Sequence, residues 1–136
     1  MNICSILFLV LLSFFNNIAR YTAEGQATYY ADRMEGRATA SGERYDKQLY
    51  TAAHATLPFG TRLLVRNLKN DKTVVVRVND RKARHRLHIV DLSRAAAEAL
   101  DMVRDGKATV RLEEVESDGP EQQAQPNAVS ETGSAN

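Results

Sequence analysis

The sequence predicts a compact, mostly β barrel with one short helix and a polar tail. Three observations predict it. Short runs of β-branched and aromatic residues recur at close spacing between residues 25 and 112, which favours a closed β architecture over βαβ units, where strands alternate with longer helices. A single segment, Ser93 to about Leu100, has a plainly helical composition. From about Ser117 onward almost nothing is apolar, so the foldable part is residues 25–116, small but sufficient for one hydrophobic core.

The chain opens with an uncharged apolar run, Ile6 to Phe15. About ten apolar residues are too few for a bilayer core that needs roughly twenty, and at the extreme N-terminus such a run reads as a secretory signal. No Lys or Arg precedes it, and cleavage after Ala19 or Ala23 is open; residues 1–23 are taken as the signal. Export to the periplasm or cell envelope is therefore expected, with no membrane span after processing. The one cysteine, Cys4, falls in this leader, so the processed domain would have no disulfide and no Cys-based metal site. Cys4 precedes the apolar run instead of ending it, which does not suit a lipid anchor.

The predicted elements follow in order. Gly25 to Ala31 is the first strand. Thr61 to Asn67 and Thr73 to Asn79 are β-branched runs joined by a hairpin over 68–72, with Asn70-Asp71 at its tip. Leu87 to Leu92 and Lys107 to Leu112 are two further strands. Ser93 can cap the helix that begins at Arg94, and Ala95, Ala96, Ala97 and Ala99 supply its propensity. Residues 117–136 read as a disordered acidic tail, since they cannot bury enough surface to offset the entropy of ordering.

The net charge of +1 hides an asymmetry: residues 25–112 hold seventeen Lys or Arg against ten Asp or Glu, and everything after Leu112 holds six acidic residues and no basic one. A basic domain suits polyanions. Its cations do not interleave with aromatics, and an exported chain seldom meets nucleic acid, so a nucleic-acid partner is not expected.

Three clusters carry side chains capable of chemistry: Thr39 to Asp46, a Gly-containing loop with Glu43 beside its turn; Thr51-Ala52-Ala53-His54, followed by Leu57-Pro58-Phe59-Gly60-Thr61; and Asn79-Asp80-Arg81 at the end of the most apolar strand, with Asp91-Leu92-Ser93 beyond. A carboxylate at the end of a buried strand is partly desolvated, which favours the protonated form an acid catalyst needs. Each has an ordinary reading too. Glu43 can be a simple loop carboxylate, His54 a core histidine bonded to backbone, Asp80 a partner of Arg81 or a turn cap, and Asp91 structural. His85 and His88 lie in an Arg-rich stretch and read as solvated. Beyond those two no tight ligand spacing occurs, so neither a metal nor another cofactor is expected.

Taken in order, G-Q-A-T-Y-Y (25–30), T-A-S-G-E-R-Y-D (39–46), T-A-A-H (51–54), L-P-F-G-T (57–61), N-D-R (79–81) and V-D-L-S (90–93) closely resemble the rare lipoprotein A family of septal lytic transglycosylases, over about Gly25 to Val115. The resemblance implies a six-stranded double-psi β-barrel. It implies that Asp80 is the catalytic acid/base, that Glu43 and His54 are associated with activity, and that Asp91 lines the glycan groove. Arg81, Tyr29 and Tyr30 are the further candidates for substrate contact. The implied function is a monomeric enzyme acting on peptidoglycan strands. It would cleave the bond between N-acetylmuramic acid and N-acetylglucosamine of peptide-stripped glycan and leave 1,6-anhydro ends. The alternative is a non-catalytic, expansin-like wall-binding module. One departure bears on the choice: after Asp80-Arg81 the family usually has Gly-Pro and a Phe, whereas this chain has Lys82-Ala83-Arg84.

Overall fold

The computed structural model describes residues 20–116; the first nineteen residues of the leader and the whole tail assigned from sequence lie outside them. Six strands form a closed barrel: β1 (Thr22–Tyr29), β2 (Thr51–Ala53), β3 (Arg62–Asn67), β4 (Thr73–Asp80), β5 (His88–Leu92) and β6 (Ala108–Val115), in the spatial order β1-β5-β2-β4-β3-β6. The pairs β1–β5 and β2–β4 are parallel and the other four antiparallel. The single α-helix among the described residues, α1 (Arg94–Ala99), follows β5 directly. No helix among the described residues is long and apolar enough to cross a membrane. The mostly β barrel with one short helix is thus the architecture the sequence predicts.

Alternation builds the interior. Along β3 and β4 side chains alternate between the two faces, so Leu63, Val65, Val74, Val76 and Val78 are buried while Leu64, Val75 and Arg77 between them are only partly so. Val90, Leu92, Val110 and Leu112 close the core, and Ala96, Ala97, Leu100 and Met102 seal it from the helical side. Close approach of β1 to β5 requires the glycine at position 25: a Cβ there would lie 2.8 Å from Ile89 Cγ2.

Ser93 caps α1 as its composition predicts, its Oγ accepting from Ala96 N at 3.2 Å. The 68–72 hairpin also forms, with Asp71 in the left-handed region at its tip. It does one thing more: Asn67 and Asn70 both donate through Nδ2 to the carbonyl of Leu100, at 2.9 and 3.0 Å, satisfying the helix end. Three strands differ from expectation. β2, which the sequence did not reveal, is three residues long, too short to show a period. β6 runs on to Val115 instead of ending at Leu112. β1 starts at Thr22, not Gly25, and Thr22 and Ala23 pair with Glu113 and Leu112. A leader ending at residue 23 would cut into this strand, while cleavage after Ala19 leaves it whole.

Candidate active site

The end of β4 brings Asp80 beside β2. Ala53 is in register with Asp80 on one side and with Asp91 of β5 on the other. The two carboxylates therefore stand two strand spacings apart, about 10 Å between backbones, with the small, buried Ala53 between them. Both are half-buried.

Asp80 is held by three donors. Oδ1 accepts from the amides of Ala40 and Arg81, each at 2.8 Å, and Oδ2 accepts from the Tyr30 hydroxyl at 2.5 Å. Asp91 accepts from Thr28 Oγ1 at 2.6 Å. Tyr30 comes to Asp80 because it follows β1 and bonds through its amide to Leu92 O. Burial first, and then the hydrogen bond to Asp80, hold its phenol proton far above the ordinary range. Tyr29 does not join them. Its hydroxyl donates to Val103 O at 2.8 Å, on the helical side of the barrel.

The amide of Ala40 belongs to the 39–46 loop, and this loop is tied to β4. Arg77 of β4 donates to both oxygens of Glu43, with Nη2 to Oε2 at 3.0 Å; Asn79 Nδ2 adds a longer bond of 3.5 Å, and Ser41 N bonds Asn79 O. Hydrogen bonding from Arg77 is the main reason that Glu43 lies below the usual carboxylate range. Gly42, at φ +92°, makes the turn. The Glu43 carboxylate is thus engaged in holding the loop that supplies a donor to Asp80.

His54 is 4 % exposed. Its Nδ1 accepts from the amides of Thr56 and Leu57, both at 3.1 Å, which leaves the ring proton on Nε2, facing Tyr21 Oη at 3.0 Å. Burial, then the charges of Arg81 and Lys82, lower its pKa, so the ring is neutral. Its side chain organises the turn after β2, and its amide bonds Asp80 O. Arg81 spreads its guanidinium 4.2 Å from the centre of the Phe59 ring, which is exposed, and bonds His54 O. Lys82 donates to Ala83 O and His88 O at 3.1 and 2.8 Å. The rings of His85 and His88 stack 4.8 Å apart with nitrogens engaged by Leu87, His88 and Gln26; among the described residues no group of three His, Cys, Asp or Glu could hold a metal.

Sequence reasoning singled out Asp80, Glu43 and His54 but missed Arg77, Ala40 N–H and Phe59. Arg77 sits at an outward position of an alternating strand, one repeat before Asn79, and that spacing was the available signal. A backbone donor such as Ala40 carries no signal in side-chain identity.

Residues 22–112 match the family model described as lytic transglycolase. The chain belongs to the lytic transglycolase family. Within this family it is 47% identical, over 100 residues, to the endolytic peptidoglycan transglycosylase RlpA of Neisseria meningitidis serogroup B, covering 74% of this chain and 42% of that protein. The lytic transglycolase barrel accordingly spans under half the length of such relatives. Among solved structures it is similar to the Streptomyces papain inhibitor, with a TM-score of 0.57 and 26% identity over 71% of this chain and 96% of that one. It also resembles the apo expansin of Clavibacter michiganensis, with a TM-score of 0.58 and 23% identity over 74% of this chain and 53% of that one. The expansin likeness speaks to the fold alone, and the double-psi β-barrel rests on the family model.

Proposed function

We propose that this chain is an exported peptidoglycan lytic transglycosylase of the periplasm or cell envelope, acting as a monomer on peptide-stripped glycan. Asp80 is its acid and then its base. It protonates the oxygen leaving N-acetylmuramic acid, then takes the proton of the same sugar's C6 hydroxyl as the 1,6-anhydro ring closes. One carboxylate serves both steps, so the two-carboxylate spacing of glycoside hydrolases is not required. The observation that carries this reading is the anchored Asp80 carboxylate at the end of β4, opposite Asp91 across Ala53.

The other residues act around it. Glu43 keeps the 39–46 loop in place through Arg77, His54 supports the turn after β2, and Asp91 and Arg81 contact the sugar. In peptide-stripped strands each muramic acid exposes a lactyl carboxylate, which Arg81 can meet in a bidentate way. The relative from Neisseria, by its name an endolytic peptidoglycan transglycosylase, supports the reaction class. Digestion of peptide-stripped glycan, with products read by mass spectrometry, tests it. Anhydro-muramic ends are expected, whereas binding without them would favour the wall-binding module.

A further inference from the structure

The acceptor positions of the Asp80 carboxylate are used unequally. Oδ1 receives two amides, from Ala40 and Arg81, which fills both of its lone pairs. Among the described residues Oδ2 receives only the Tyr30 hydroxyl, which uses one of its two lone pairs. That hydroxyl is fixed from behind. The Tyr30 ring meets Tyr45 edge-on, with centroids 4.4 Å apart at 68°. Tyr45 is itself buried, and its oxygen accepts the amide of Arg94 at the start of α1.

We infer that Asp80 exchanges its proton with the glycan through Oδ2 alone, and that Tyr30 is the residue that positions this oxygen; the inference rests on the lytic reading above. The proton on Oδ2 passes to the glycosidic oxygen as the bond to C1 of muramic acid breaks and its electron pair leaves with that oxygen. Oδ2, now charged, takes the proton of the C6 hydroxyl while O6 forms its bond to C1. Oδ2 ends protonated, as it began, and no water is consumed. Tyr30 keeps its own proton throughout. Its hydrogen bond strengthens when Oδ2 becomes charged, so it favours the transition state over the bound ground state. Tyr30 thus acts on turnover through Asp80, not as a platform for a sugar ring.

Tyr30→Phe in the full chain keeps the ring and its contact with Tyr45 and removes one hydroxyl. Loss of a hydrogen bond to a charged group predicts that kcat for anhydro-product release falls about ten- to hundredfold, with the Kd for glycan changed less than about twofold and the near-ultraviolet circular dichroism retained. Wild-type kcat with weakened glycan binding would overturn the inference while leaving the lytic reading intact; a wild-type chain that releases no anhydro ends overturns the lytic reading itself. A second measurement does not depend on the variant folding. In the wild-type chain the Tyr30 hydroxyl proton should give a downfield, slowly exchanging NMR signal that Asp80→Asn displaces. A signal unmoved by that substitution, or none at all, also overturns the inference.

Discussion

Glu43 and Arg77 meet face to face, each guanidinium Nη donating to a different carboxylate oxygen, across the junction between the 39–46 loop and β4. The pair is partly open to water, with the Glu43 side chain 44% exposed. Exposed pairs of this kind contribute about 0–1 kcal/mol, so its consequence is geometric. It fixes the loop whose Ala40 amide reaches Asp80. Bidentate geometry adds directional restraint that a single contact lacks.

Glu43→Gln should therefore lower turnover more than it lowers stability, with a melting temperature within a few degrees of wild type. Its stability effect has a pH signature. The folded carboxyl lies below its ordinary value of 4.5, chiefly through the Arg77 hydrogen bond. The pair's contribution is then present above about 4.5 and is lost as pH falls through the lowered folded value. Thermal melts of both proteins between pH 7 and pH 3 should converge at the acid end. A constant gap would mean that the Glu43 charge is not what stabilises the loop.

His54→Ala should behave in the opposite way. It leaves the amides of Thr56 and Leu57 without their acceptor and opens space beside Tyr21, so about 2–3 kcal/mol of stability should be lost. The folded ring resists protonation, while the unfolded chain takes up its proton near 6.5. The contribution of His54 is thus full above about pH 6.5 and declines as pH falls below it. Residual activity in the folded fraction of the variant would assign the ring a supporting role. A stable but inactive variant would make it a direct participant in the reaction.

These two residues also mark how far the sequence was legible. The barrel was readable because β3 and β4 are runs of β-branched and apolar residues and α1 holds four alanines in six residues behind a serine cap. β2 was not, since Thr51-Ala52-Ala53 is three small residues with no period, and its burial depends on β4 and β5 closing over it. Glu43, His54 and Asp80 were identified by motif, yet the motif does not distinguish reacting groups from supporting ones. That distinction lies in partners distant in sequence: Arg77 for Glu43, Tyr21 for His54, Tyr30 for Asp80. The ordinary reading of His54, a core histidine bonded to backbone, matches the contacts its ring makes.

The turn after Arg81 offers a separate test. Lys82 donates to the carbonyls of Ala83 and His88, tying both ends of the segment together. Lys82→Ala should speed amide hydrogen exchange across residues 82–88 and destabilise the domain by about 0.5–1.5 kcal/mol. Exchange in β3 and β6 should be unaffected. Unchanged exchange in the turn would show that the Lys82 bonds do not hold it.

Arg81 is the cation best placed for an anionic sugar, since its neighbours are an aromatic ring and a backbone carbonyl, and no carboxylate pairs with it among the described residues. Arg94, by contrast, already serves Glu98 and Asp32. Glycan binding should weaken as salt rises, because exposed charges are screened over about 8 Å at physiological ionic strength, and Arg81→Ala should flatten that dependence. Isothermal titration at several salt concentrations reads both. Binding indifferent to salt would place the affinity in uncharged contacts, Phe59 among them.

Asp80 and Asp91 provide the test that separates the enzyme from the binding module. In Asp80→Asn the remaining Oδ1 can still accept from Ala40 and Arg81, and Tyr30 can accept from the new amide nitrogen instead of donating to Oδ2. Folding and glycan binding should be nearly unchanged. The amide cannot give a proton to the leaving oxygen, so anhydro-product formation should drop by roughly 10²–10⁴-fold. Asp91→Asn retains the oxygen that Thr28 bonds and removes only the charge. If Asp91 contacts the sugar and takes no part in proton transfer, its KM should rise with kcat changed by less than about tenfold. The reverse outcome, an active Asp80→Asn beside an inactive Asp91→Asn, would move the acid/base across Ala53 to β5 and leave the family assignment untouched. Equal and complete loss in both would point to a reaction in which the two carboxylates share the proton transfers, one as acid and the other as base.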